Sequence, residues 1–173
     1  MLDEMLANPA YQSLVSYLSC PETRVAVLIP GVVSVAILAF YARAGKLSRR
    51  LQLLWLLALT ISFYSARWEL TSESHQLYIY SAFSVACIVL LFRRMYVAPA
   101  LAYALTFLSL WTVDVSYALS RSLECGAPLS NFYVGVGGAG FRDALFLLPL
   151  LTAAAIAYAR HRIEARGERL VVL

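Results

Sequence analysis

The sequence predicts an all-α polytopic membrane protein: a five-transmembrane-helix bundle preceded by a short amphipathic N-terminal helix on the outer face. Three observations carry that expectation. The apolar set makes up 61% of the 173 residues and charged residues only 14%, with a mean hydropathy of +0.72. A soluble domain is roughly 45–50% apolar and about 25% charged. Several apolar runs approach the roughly 20 residues that a helix needs to cross about 30 Å of hydrocarbon. The basic residues cluster in alternate connections between those runs. This composition excludes a soluble domain, a disordered chain and a disulfide scaffold. Residues 1–173 read as a single integral membrane domain.

The elements follow in order. Asn8 and Pro9 resemble a cap and a first helical residue. Tyr11, Leu14, Val15 and Leu18 then share one face, so residues 9–19 are expected as a helix on the outer interface or against the bundle mouth. Spans are expected at about 24–43, 51–69, 75–92, 97–119 and 141–160, with a cytoplasmic tail over 161–173. The runs are apolar on every side and lack the period-2 alternation of a membrane strand. Within hydrocarbon a single segment satisfies its own backbone only as a helix. Pro30-Gly31 and Pro149 are expected to bend the first and fifth spans, whereas Pro99 falls in a first turn where it costs little.

Charge sets the expected orientation. Arg43, Lys46, Arg49, Arg50, Arg93, Arg94, Arg160, Arg162, Arg166 and Arg169 fall on one side of the five spans. Basic connections stay cytoplasmic, which puts the N-terminus outside and the C-terminus inside. Most acidic residues fall on the opposite side. Asp3 and Glu4 stand where a signal peptide would carry basic residues, so no cleavable signal is expected. The excess of Arg over Lys suggests a bacterial source, and the expected location is the bacterial inner (cytoplasmic) membrane. The net charge of +4 is therefore a topology signal, and no nucleic-acid partner is expected.

Of three cysteines, Cys87 lies inside a span. Cys20 and Cys125 both fall in outer connections, where an oxidising compartment favours a disulfide between them. With no C-x-x-C pattern, exchange chemistry is not expected.

An ionisable group within a span is costly and marks a candidate site. Asp114, in LSLWTVDVSYALS, is the clearest case. Glu69 follows Ser62 and Ser65 at helical spacing, and Arg67 lies beside it. The run YVGVGGAGFRD supplies Gly137, Gly138, Arg142 and Asp143 ahead of the fifth span. Glycines permit close backbone approach, a helix start offers N–H groups to an anion, and Arg142 suits a phosphate. All these residues map toward the outer leaflet, with Tyr117 at similar depth. Asp114, Glu69 and Asp143 are the expected acid/base groups. Arg142, Arg67, Gly137, Gly138 and Tyr117 are the expected contacts to an anionic, lipid-like substrate. The structural alternative pairs Asp114 with Arg67, Arg121 or Arg142 to lock helices together.

No cofactor or metal is expected: His75 and His161 fall on opposite sides, and no G-x-S-x-G, H-E-x-x-H or P-loop occurs. Three function classes remain. The first binds or transforms an amphipathic molecule at the outer leaflet. The second is a non-enzymatic subunit or immunity protein working with partner membrane proteins in an export or conjugation assembly. The third is a channel or transporter subunit, which the absence of acidic residues from the inner half of the spans disfavours. Membrane lipid is a partner in every case.

Overall fold

A computed structural model describes residues 16–70, 77–80, 82–94, 97–128, 131–132 and 136–165, with backbone alone for 67–70, 77–80, 82–86 and 94. Five helices dominate these residues: α1 (Pro21–Arg43), α2 (Arg49–Ser65), α3 (Ala82–Arg94), α4 (Pro99–Cys125) and α5 (Ala144–Ala165). A short antiparallel ribbon of β1 (Arg67–Leu70) and β2 (Leu77–Tyr80) joins α2 to α3. The first described residues, 16–19, form a helical turn, and the rest of the expected 9–19 helix lies outside the described residues.

Each helix end has a local cause. Ser48 caps α2 by accepting a hydrogen bond from the Leu51 N–H at 3.2 Å. Pro99 opens α4 at its first position, where a missing N–H is harmless, and Gly126, at φ 63°, closes it in a left-handed conformation. α1 opens with Pro21 and then widens into a π turn over Arg24–Leu28, directly ahead of Pro30. A widened turn is one way a helix accommodates an insertion in its hydrogen-bond ladder.

α4 is the hub. It packs against α1, α2, α3 and α5, while α2 meets α3, and α3 meets α5. Leu101, Ala104, Leu105, Phe107, Leu110, Val113 and Ala118 bury its surface on nearly every side. The outer helices expose hydrocarbon instead: Val32, Val35 and Phe40 on α1, Leu53 and Leu56 on α2, and Leu150 and Leu151 on α5. Buried inside are Ser34, Ser62, Thr106, Ser109, Thr152 and Asp114. So many large apolar groups on the outside, around an interior that also buries hydroxyls and a carboxyl, is what a membrane protein presents. Among the described residues three helices, α1, α4 and α5, are long and apolar enough to cross a membrane.

Several expectations need correction. The second span was expected to reach Glu69, but α2 ends at Ser65, and Ala66 is extended with ψ 134°. The stretches RWEL and LYIY are rich in strand-favouring aromatic and branched residues, and they pair as Arg67↔Tyr80 and Glu69↔Tyr78. The helical stripe of Ser62, Ser65 and Glu69 therefore does not form. α3 starts at Ala82 rather than near His75. At 17 and 13 residues, α2 and α3 are about 26 and 20 Å long, short of the usual crossing length. α4 continues beyond Leu119 to Cys125, and α5 runs from Ala144 beyond Arg160 to Ala165.

The expected Cys20–Cys125 disulfide is also absent: both residues are free thiols, as is Cys87. Cys20 caps the start of α1 and its thiol donates to Glu22 Oε2 at 2.8 Å. Cys125 sits exposed on the last turn of α4, fixed to a helix rather than carried on a pliant connection.

Candidate functional site

The bundle has two chemically distinct ends. One gathers Arg43, Lys46, Arg49, Arg50, Arg93 and Arg160 from helix ends and their connections. The other holds Asp114 and Asp143, and the candidate site is built there.

The segment leading into α5 shapes it. Val136–Ala139 turns, Gly140–Arg142 makes a single 3-10 turn, and Asp143 is extended before Ala144 starts the helix. Gly137 has φ 85°, and a Cβ there would lie 2.5 Å from Val27 Cγ2 on the π turn of α1. Only glycine fits that approach. The Tyr17 hydroxyl donates to the Val136 carbonyl at 2.8 Å, pinning the helical turn of residues 16–19 to the same segment.

Asp143 organises the backbone around it. Its Oδ1 accepts from the Leu145 N–H at 2.8 Å and its Oδ2 from the Ala139 N–H at 3.3 Å. The Gly137 N–H also favours its charged form. The carboxylate thus caps α5 and closes the glycine-rich turn on itself. The N–H groups expected to face an external anion face this internal one. Burial raises the Asp143 carboxyl above its ordinary value, and the three N–H donors oppose that shift.

Asp114 comes from the middle of α4, among Leu110, Val113 and Ala118. Cys125 ends that helix eleven residues further on, roughly 16 Å along the axis. Asp114 is therefore set deeper than the expected 97–119 span implied. It is 3% exposed, and its Oδ1 has no hydrogen-bond partner among the described residues. Asp143 lies close enough to act on it electrostatically. Tyr17 senses both carboxyls, and burial, followed by those two charges, pushes its phenol above the usual range.

The structure therefore places Asp143 within electrostatic range of Asp114, with Gly137 supporting Asp143. Gly138 is half-buried in the turn, and Arg142 is exposed on the adjoining 3-10 turn. Tyr117 serves another contact, donating to the Phe63 carbonyl at 3.2 Å and tying α4 to the last turns of α2. Arg121 pairs with Glu124 on its own helix. The backbones of Arg67 and Glu69 are on β1, while their side chains lie outside the description. Tyr17 was missed in the sequence because nothing in its local pattern indicates a bond to residue 136.

Chemically, the pair divides its labour. Asp143 has its oxygens committed to backbone donors and so has a fixed position. Asp114 keeps an uncommitted oxygen in a low-dielectric setting, where a proton, a cation or a polar substrate group is the natural partner. Among the described residues no group of His, Cys, Asp and Glu has the geometry to hold a metal ion. The chain matches no family model, no curated protein and no solved structure.

Proposed function

We propose that this is a five-pass membrane protein that binds an amphipathic, lipid-like anionic molecule at its outer end and acts on it through Asp114. In this reading the N-terminus is outside, the C-terminus is cytoplasmic, and the membrane is the bacterial inner membrane. The gathering of basic residues at one end of the helices supports that orientation. α2 and α3 supply the two shorter crossings.

The observation that carries the proposal is the buried Oδ1 of Asp114, without a hydrogen-bond partner among the described residues and within electrostatic range of Asp143. Burying such a group without a partner is costly, so its retention in an apolar bundle points to use. Asp114 exchanges the proton. Asp143 holds its position through the Leu145 and Ala139 N–H groups and sets the local charge. Arg142, exposed on the turn that Asp143 closes, meets the anionic headgroup.

The test is Asp114→Asn in a strain lacking the chain. The variant is expected to insert at the parent level and keep the parent melting behaviour in detergent, but to fail to restore the phenotype. In parallel, a hydrophobic carbodiimide, which modifies protonated carboxyls in apolar surroundings, is expected to label the parent at Asp114. Full complementation by the variant, or a parent that stays unlabelled there, would overturn the reading.

A further inference from the structure

The opposite end of the bundle carries a cavity of about 420 Å³ that the acidic pair does not touch. We infer that it binds the phosphate headgroup and first acyl carbons of an anionic phospholipid. The lining has two halves. Lys46, Arg93 and Arg160 supply three cationic groups from the α1–α2 connection, the end of α3 and the end of α5. Val97, Leu101 and Ile156, all buried, supply an apolar wall from α4, its lead-in and α5. Among the described residues no carboxylate lines the cavity.

The cations are not equally available. Arg160 is paired with Glu164 at 2.8 Å, one turn further along α5. Lys46 and Arg93 enter no ion pair among the described residues. Two residues whose positive groups are unpaired among the described residues thus line a pocket that is otherwise mostly apolar. A soluble anion would leave the Val97, Leu101 and Ile156 wall wet, and a neutral lipid would leave the charges unanswered. An anionic lipid satisfies both halves. The pocket also stands at the helix ends, where apolar spans give way to basic connections and where headgroups sit. Basic pockets between membrane helices are a recurring headgroup site, and the volume falls within the ordinary range for small ligands.

The inference uses neither Asp114 nor Asp143, so its failure would leave the outer-end proposal intact. The experiment is native mass spectrometry of the full chain in detergent, titrated separately with a phosphatidylglycerol, a phosphatidylcholine of the same chains, and inorganic phosphate. The parent is expected to retain phosphatidylglycerol preferentially. Each of Lys46→Gln and Arg93→Gln is expected to weaken retention roughly fivefold, and the double variant about 25-fold. Ala98→Phe, which fills the pocket without changing charge, is expected to weaken it too, whereas Arg50→Gln, outside the lining, leaves it unchanged. Circular dichroism and melting in the same detergent confirm that each variant is folded. Equal retention of phosphatidylcholine would overturn the inference. So would displacement of the lipid by millimolar phosphate, or parent-like binding by the folded double variant.

Discussion

Gly137→Ala is the sharpest test of how the acidic end is assembled. Two costs add at this position. A non-glycine residue held at φ 85° loses about 1–2 kcal/mol. The new Cβ would stand 2.5 Å from Val27 Cγ2 and 3.3 Å from Ala26 Cβ, and forcing such overlap into a packed site costs about 1–3 kcal/mol. The expected loss is therefore about 2–5 kcal/mol. Val27→Ala separates the two costs, because it deletes the clashing methyl and leaves the torsion unchanged. In that background Gly137→Ala is expected to cost only about 1–2 kcal/mol, giving a coupling of about 1–3 kcal/mol between positions 27 and 137. Reversible unfolding in mixed micelles of SDS and a mild detergent, followed by tryptophan fluorescence, measures all four proteins. A Gly137→Ala variant within about 0.5 kcal/mol of the parent, or an undiminished cost in the Val27→Ala background, would refute the packing argument.

Three further outcomes follow from the same end of the molecule. Asp143→Ala removes the cap of α5 and is expected to lower stability by about 1–2 kcal/mol in the same micelle assay. The Asp143 carboxyl is raised in the fold, so its share of stability is greatest at low pH. That share falls as pH climbs from the ordinary value of 3.8 through the raised one. The stability of Asp143→Asn minus that of the parent should accordingly rise over this interval, and a flat difference would contradict the burial of the group. Cys20 and Cys125 are free thiols, so a maleimide is expected to label both without prior reduction, Cys125 faster because it is exposed. An unlabelled chain that becomes reactive only after reductant would show the two to be bridged.

The parts of the fold that hydropathy governs were legible in the sequence. α1, α4 and α5 stand where long apolar runs stand, because burying or shedding hydrocarbon sets their position whatever the tertiary detail. The ribbon was not legible. Trp68, Tyr78 and Tyr80 suit the interfacial end of a membrane helix as well as a strand, and the two readings differ only in backbone pairing. A six-residue polar interval, TSESHQ, between two aromatic stretches was the available hairpin signal. At the site, Asp114 announced itself as a charge in an apolar run. Its association with Asp143 depends on how α5 docks beside α4, and no local pattern encodes that. The glycine-rich run suggested an external anion because its geometry suits one. The occupant turned out to be the chain's own Asp143, whose two short hydrogen-bonding steps to residues 139 and 145 appear only once the turn is built. The clustering of basic residues was legible in the sequence, but their convergence on a cavity depends on α3 and α5 ending side by side.

The π turn at the start of α1 has a consequence for how one rod serves two neighbours. A regular helix advances about 100° per residue, so one surplus residue in a turn slips the angular phase of everything after it by about that amount. Within the widened turn, Ala26 and Val27 abut Gly137 on the approach to α5; beyond it, Gly31 lies against Phe107 of α4. The two contact faces are thereby set independently. Losing a single residue between Arg24 and Leu28 would leave an equally greasy and nearly equally long segment, yet it would dial one of those faces away from its mate.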